Sequence, residues 1–282
     1  MNPQINVITL GVEDPARATE FYSLGLGCPV QEDHGEFVSL RLGAGTASLA
    51  LYRRAALAAD AGVSPEGSGF RGFHLSAIFD TAADVDTLLA AASRAGGTVI
   101  KPAKSALWGG YSGTFADPDG NVWKAASNSK PPRGAKRRDA QAALADERPA
   151  MSPKEVAVTL GVSDIKAAKQ FYGQGLGCPV DKDYSKFVSF NLGDGSSSLA
   201  LYRWDALAAD AGVPPAGSGF RAFTLSSIAD SSEQVDKVLA VADRAGGAVA
   251  VPGQAASWGG YSGYFTDPDG TLWKAASRAH AQ

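Results

Sequence analysis

Cysteine, histidine and methionine are scarce in this chain of 282 residues, at 2, 3 and 2. The two thiols, Cys28 and Cys178, each stand before a proline at equivalent places in the two halves. Each half therefore has no intradomain partner for a disulfide, which excludes a cross-linked secreted scaffold and suits a reducing compartment. No base or cation neighbours either thiol in sequence, so each reads as a small buried hydrophobe rather than a nucleophile. A long apolar run is also missing, which excludes a membrane-spanning helix. The start, Met1-Asn2-Pro3-Gln4, lacks the basic region and following apolar stretch of a signal peptide. The expectation is a cytoplasmic protein. Charge of one sign is not in excess: 26 basic and 29 acidic residues give a net charge of −3. The compact basic run, Lys136-Arg137-Arg138, lies in a connecting segment, so the domains carry no electrostatic footprint for nucleic acid.

What the chain does have is a duplication. Asp117-Pro118-Asp119-Gly120-Asn121-Val122-Trp123-Lys124 returns as Asp267-Pro268-Asp269-Gly270-Thr271-Leu272-Trp273-Lys274. The repeat runs from Val12 to Trp123 and from Val162 to Trp273 at one fixed numbering offset, pairing Phe21-Tyr22 with Phe171-Tyr172 and Trp108 with Trp258. The reading is a first domain over 1–129, a linker over 130–151 with a helical turn near Ala140–Asp146, and a second domain over 152–279.

Within copy one, Val7–Val12 alternates apolar and small residues as a half-buried strand does. Asp14-Pro15 supplies an N-cap and a first-turn proline for a helix through Leu24, stopped by Gly25 and Gly27. Strands follow over Glu36–Leu42 and Ala47–Tyr52, then a short helical insertion over Arg54–Ala61. The pattern then starts again: a strand over Phe73–Phe79, a helix over Thr81–Ala95 with a capping box of Thr81 and Asp84, and strands over Thr98–Lys101, Gly113–Ala116 and Val122–Ala126. Each domain reads as two successive units of strand, helix and three strands. The Asp-Pro-Asp-Gly segments read as tight hairpin turns, and Trp123 and Trp273 as core beneath the helices.

Leu10-Gly11-Val12-Glu13-Asp14 leading to Phe21-Tyr22 and Leu26-Gly27, the second unit from His74 to Gly97, and Trp108-Gly109-Gly110-Tyr111 leading into the Asp-Pro-Asp-Gly turn together resemble the vicinal oxygen chelate superfamily. That superfamily includes glyoxalase I, extradiol dioxygenases and bleomycin-resistance proteins. The resemblance implies an α+β fold, a tandem glyoxalase/bleomycin-resistance fold in which each domain pairs two βαβββ modules whose curved mixed sheets enclose a cavity. It also implies a divalent metal held at four places, which fall here on Val7, Ala50, His74 and Lys124 in copy one and on Ala157, Ala200, Thr224 and Lys274 in copy two. Of these His74 alone carries a ligating group, and an ammonium at both acidic positions repels a divalent ion. Exchange of modules between copies does not enlarge that pool of side chains. No metal and no cofactor are expected.

Strand alternation lines the expected copy-one cavity with Val7, Thr9, Phe37, Ser39, Arg41, Ala50 and Tyr52, then His74, Ser76 and Lys124, with Leu107, Trp108 and Tyr111 from the adjoining loop. The copy-two counterparts taken as ligand-binding are Thr159, Ser189, Tyr202, Thr224, Trp258, Tyr261 and Lys274. For the two lysines, a salt bridge, a counter-charge to an anionic or carbonyl-bearing ligand, and a catalytic amine all remain open. His74 is a core imidazole, a ligand contact or an acid–base group. The copies differ at Arg41 and Asn191, Arg54 and Trp204, His74 and Thr224, Lys104 and Gln254, and Thr114 and Tyr264, which predicts two non-equivalent pockets.

The expected function is metal-independent binding of a small, partly aromatic molecule, as in the bleomycin-resistance branch, in a sequestering or carrier role. A monomer is expected, its two domains standing in for a homodimer. The alternatives are a metal-independent lyase or isomerase using His74 and Lys124, a metal-dependent glyoxalase or dioxygenase, and a protein-interaction scaffold.

Overall fold

The computed structural model describes residues 4–43, 45–105, 110–129 and 151–278. Nine strands and three α-helices of the first half are β1 (Val7–Val12), α1 (Pro15–Thr19), β2 (Val30–Asp33), β3 (Phe37–Arg41), β4 (Ser48–Arg53), α2 (Arg54–Asp60), β5 (Gly67–Gly69), β6 (Phe73–Phe79), α3 (Ala82–Arg94), β7 (Thr98–Ser105), β8 (Tyr111–Ala116) and β9 (Val122–Ser127). The second half repeats them as β10 (Glu155–Val162), α4 (Ile165–Lys169), β11 (Val180–Tyr184), β12 (Phe187–Phe190), β13 (Ser198–Arg203), α5 (Trp204–Ala211), β14 (Gly217–Gly219), β15 (Phe223–Ile228), α6 (Ser232–Arg244), β16 (Ala248–Ala255), β17 (Tyr261–Thr266) and β18 (Leu272–Ser277). The linker expected over 130–151 lies outside the described residues as far as 150, as does its helical turn.

Each large sheet draws on both copies. Sheet one runs β16-β17-β18-β15-β1-β4-β3-β2 and sheet two runs β11-β12-β13-β10-β6-β9-β8-β7. At the seams β1 pairs antiparallel with β15, setting Thr9 opposite Thr224, and β10 pairs antiparallel with β6, setting Thr159 opposite His74. The βαβββ modules are those read from the sequence, but the first module of each copy shares its sheet with the second module of the other. The repeat unit and the sheet are therefore different things. The two seams meet where Phe73 and Phe223 stack with centroids 3.9 Å apart.

Local chemistry explains the elements. The Asp14 carboxylate accepts from the amides of Ala16 and Arg17 at 3.0 and 3.3 Å, satisfying donors that open α1, and Pro15 needs no donor there. Thr81 caps α3 in the same way through the Asp84 amide at 3.2 Å. Val85, Leu88, Leu89 and Ala92 recur at helical spacing and bury against the sheet. The helix expected to run from Ala16 to Leu24 instead widens into a π-helical turn over Glu20–Gly25. Phe21 and Tyr22 are consecutive and both buried, and the wider turn places both rings in the core. The edge strand β2 has four exposed residues and no alternation, so its sequence carries no strand signal.

Tyr22 is also the centre of a buried polar cluster. Its hydroxyl donates to Asp117 Oδ2 at 2.7 Å and accepts from Trp123 Nε1 at 2.9 Å. Asp117 further accepts from the Asn121 side-chain amide at 2.8 Å and from the Asp119 and Asn121 backbone amides at 3.0 and 2.7 Å. Burial raises the Asp117 carboxyl above its ordinary range, and these donors oppose the shift. Tyr172, Asp267 and Trp273 repeat the cluster in copy two. The Asp-Pro-Asp-Gly segment thus forms a hairpin turn, as expected, and also fastens the first module's helix to the second module's last strand. Asp119 adds to this by accepting from the Glu13 amide and from Arg17 Nη2, both at 3.0 Å.

Two outcomes follow from these contacts. Tyr22→Phe leaves a buried carboxylate oxygen and the Trp123 indole short of a partner, so urea denaturation should show a loss of about 1.5–3 kcal/mol. Residues 1–129 and 152–282 expressed as separate chains in one cell should purify as a one-to-one complex on size exclusion. Two independently folded monomers would contradict the shared sheets.

Candidate functional site

Each sheet has a helix-covered face and an inner face. Trp123, Phe115 and Leu75 lie under α3, while Lys124, Thr114, His74 and Ser76 alternate onto the inner face of sheet two. The exchange of modules sets which residues meet there. Sheet one gathers Thr9, Ser39, Arg41 and Tyr52 from copy one with Thr224, Lys274 and the neighbouring Trp258 from copy two. Sheet two gathers His74, Ser76 and Lys124 with Thr159, Ser189 and Tyr202. One pocket assembled within each copy is thus replaced by two mixed sets.

Several expected lining residues stand elsewhere. Tyr111 donates to Asp86 of α3 at 2.9 Å, and Tyr261 donates to Asp236 of α6 at 3.1 Å, so both belong to the helix-covered faces. Their strand parity with Phe115 and Phe265 dictates this. Ser39 and Ser189 turn to their edge strands, donating to Gln31 at 3.4 Å and Asp181 at 3.1 Å. Arg41 is exposed near the outer edge. Trp108 and Leu107 lie outside the described residues.

The inner faces are largely covered by the insertion helices. Leu57 and Ala58 of α2 pack with Ala222, Tyr264 and Leu272 on sheet one. Leu207 and Ala208 of α5 pack with Phe70 and Tyr202 on sheet two, and a Cβ on Gly161 would come within 3.3 Å of Trp204 Cα. The expected open cavity in each sheet is therefore narrowed by a helix of its own module.

These helices also bring the acidic groups that sequence reasoning missed. In sheet two Asp210, near the end of α5, accepts from Lys124 Nζ at 2.7 Å and lies 3.5 Å from His74 Nε2. Ser76 Oγ is 3.3 Å from His74 Nδ1. A neutral imidazole with its proton on Nε2 suits this chain, donating to the carboxylate and accepting from the serine. Burial depresses His74, with Asp210 opposing and Lys124 reinforcing the shift. Burial would raise the Asp210 carboxyl, but the His74 hydrogen bond and the Lys124 ammonium outweigh it and hold the group well below the usual carboxylate range. Lys101 completes the arrangement by donating to the carbonyls of Ala209 and Asp210, which end α5.

Sheet one keeps the same carboxylate but gives it a different partner. Asp60 of α2 accepts from the Tyr52 hydroxyl at 3.1 Å. Thr224 replaces the imidazole and Val251 replaces Lys101. The Tyr264 ring, standing where sheet two has Thr114, comes within 5.2 Å of Lys274 Nζ, and the Trp258 ring within 5.6 Å. Among the described residues no carboxylate ion-pairs with Lys274 and no group accepts a hydrogen bond from it. Aromatic faces stabilise a partly exposed ammonium by about 0.5–1 kcal/mol, less than a desolvated ion pair. Burial accordingly lowers Lys274, and the charge of Asp60 opposes the shift. Nearby, Thr224 Oγ1 is buried without a hydrogen-bond partner among the described residues. Sheet one therefore presents an uncommitted amine, an uncommitted hydroxyl and a half-exposed indole, since Trp258 is 50 % exposed.

A divalent metal does not fit either set. Sheet one offers Val7, Ala50, Thr224 and Lys274 at the four expected places, and sheet two offers Ala157, Ala200, His74 and Lys124. Asp210 gives His74 a second potential ligand, but an ammonium holds that carboxylate. Among the described residues no group of three or more His, Cys, Asp and Glu side chains is placed to hold an ion. The two thiols are buried, and burial pushes each up to about 12, so neither is a nucleophile at neutral pH. A cavity of about 290 Å³ between the two halves is lined by Arg71, Trp204, Arg221 and Asp269. Its guanidinium groups are committed, Arg71 to Asn121 and the Asp119 carbonyl, and Arg221 to Thr271 and the Asp269 carbonyl.

The model of the Glyoxalase/Bleomycin resistance protein/Dioxygenase superfamily matches residues 4–125 and 156–275. Glyoxalase I from Zea mays is similar in structure, with 16% identity, a TM-score of 0.61, and coverage of 98% of this chain and 93% of that one. A glyoxalase-related enzyme from Fulvimarina pelagi is 29% identical over 44% of this chain and 88% of its own, with a TM-score of 0.39. No curated protein matches. Among the described residues no helix is long and apolar enough to cross a membrane.

Asp210→Asn tests the carboxylate that divides the two faces. A carboxylate held low in the folded state stabilises above its unfolded pKa of about 4 and loses that contribution as pH falls through the folded value. At pH 7 the variant should be less stable by about 1–2 kcal/mol, discounted for partial exposure. Its deficit in thermal unfolding should shrink steadily below about pH 4. A deficit independent of pH would remove the ionic role.

Proposed function

The protein belongs to the Glyoxalase/Bleomycin resistance protein/Dioxygenase superfamily, and from that premise we propose that it binds a small, partly aromatic molecule without a metal ion. The ligand sits on the inner face of sheet one and carries an anionic or carbonyl oxygen. The observation that carries this reading is the contrast between two equivalent lysines. Lys124 is ion-paired with Asp210, whereas Lys274 has aromatic faces and, among the described residues, no carboxylate in contact. A partly buried cation with no carboxylate in contact among the described residues favours a ligand that supplies one. The Trp258 ring offers a flat surface for an aromatic group, and the Thr224 hydroxyl offers a hydrogen bond.

The reading is a sequestering or carrier role rather than metal-assisted turnover. Lysine at both expected acidic positions supports metal independence. Proton transfer by His74 and Lys124 is disfavoured, because both already engage Asp210. A single chain that completes both sheets internally is consistent with a monomer. A reducing cytoplasm, where Cys28 and Cys178 stay unpaired, belongs to the same reading.

Thermal shift and calorimetry with benzoate and related aromatic carboxylates test it. EDTA-treated protein should be stabilised in proportion to occupancy, with one site per chain. Lys274→Met should weaken binding about tenfold or more, and Lys124→Met should leave the affinity within about twofold. Co-purification of a stoichiometric transition ion, or equal losses in both variants, would defeat the reading.

A further inference from the structure

We propose that Lys274 captures an aromatic aldehyde or ketone as an imine, its amine facing the Trp258 and Tyr264 rings on the sheet face that also carries the buried Thr224 hydroxyl. This rests on the reading of sheet one as the ligand face and adds a covalent step. An imine-forming lysine needs an amine that is not fixed as an ammonium by a contacting carboxylate, and apolar side chains beside it. Lys274 meets both requirements. Its amine stands over two rings at 5.6 and 5.2 Å with no carboxylate in contact among the described residues, and Leu272 and Phe220 border the same face. Burial also favours its neutral form, against the opposing charge of Asp60.

Lys124 is an internal control. It occupies the equivalent place in sheet two, but its nitrogen is 2.7 Å from Asp210 Oδ2, and His74 fills the place of Thr224. One position is tied and its counterpart is not, because Thr114 and His74 became Tyr264 and Thr224 across the repeat.

The step balances without an oxidant or reductant. The neutral Lys274 nitrogen forms a bond to the carbonyl carbon, and the π electrons of the carbonyl pass to oxygen, which takes the proton that nitrogen sheds. The carbon–oxygen bond of this carbinolamine then breaks, water leaves, and a carbon–nitrogen double bond remains. Thr224 and Ser226 alternate onto one face of β15, and Ser226 is paired in register with Lys274. Thr224, two residues along that face, has a buried hydroxyl with no partner among the described residues, and in this capture it takes the carbonyl oxygen as acceptor.

The experiment incubates the intact protein with benzaldehyde and cyanoborohydride, which reduces imines, and maps the labelled peptides by mass. Lys274 should be labelled about tenfold faster than Lys124 and than exposed Lys154. Benzyl alcohol, which lacks the carbonyl, and benzoate are measured in parallel by thermal shift. Labelling of Lys274 no faster than Lys154 overturns the capture. If benzoate and benzyl alcohol still stabilise the protein, reversible binding survives that failure. Selective labelling of Lys274 with no stabilisation by either compound supports capture and removes the reversible-binding reading. Lys274→Arg keeps the charge and cannot form the adduct, so it should lose the label while its unfolding temperature stays close to that of the parent.

Discussion

Backbone pairing of β1 with β15 and of β10 with β6 decides what each inner face contains. Once those seams form, Thr9 must lie against Thr224, and Thr159 must lie against His74. The four positions at which the resemblance implies metal ligands are then drawn from both copies. A chain with duplicated modules has two ways to complete a sheet, and here it joins unlike copies. The stacked pair Phe73 and Phe223 and the buried cores of both halves grow from that choice.

The two faces then diverge through one carboxylate. Asp60 and Asp210 occupy equivalent places on equivalent helices, yet one accepts from a tyrosine and the other from a lysine beside a histidine. The difference follows from neighbours rather than from the carboxylate. His74 supplies a donor and Lys101 draws the end of α5 towards sheet two. In sheet one, Tyr264 takes the ground beside the lysine, and Val251 packs by apolar contact where Lys101 would donate. An internal ion pair closes one face electrostatically, and among the described residues Lys274 on the other face has no such pair.

Much of the fold was legible. The duplication, the N-caps at Asp14 and Thr81 and the alternation in β1, β3, β4 and β6 are local patterns with local causes, and they appear where the sequence puts them. The copy differences at His74 and Thr224 and at Thr114 and Tyr264 were also readable, and they lie on the inner faces of the two sheets. Less legible were β2, whose exposed residues show no alternation, and the π-helical turn, which depends on where two adjacent rings find space. Tyr111 and Tyr261 went to the opposite face because the strand begins at those residues, and parity then governs them. The substitution of Lys101 by Val251 stood in plain view in the repeat, but its meaning required knowing that α5 ends beside it.

By itself the sequence determined the modules, their inner and outer rows, and the replacement of ligating side chains by lysine, alanine and valine, because periodicity and side-chain chemistry act over a few residues. It did not determine which module pairs with which. Phe73–Phe79 and Phe223–Ile228 present nearly the same strand to β1, so local pattern cannot discriminate between them. Tertiary structure alone made that choice, and with it placed Asp210 on Lys124 and left Lys274 with no carboxylate in contact among the described residues, because ion pairs between distant segments exist only once the backbones that carry them have met.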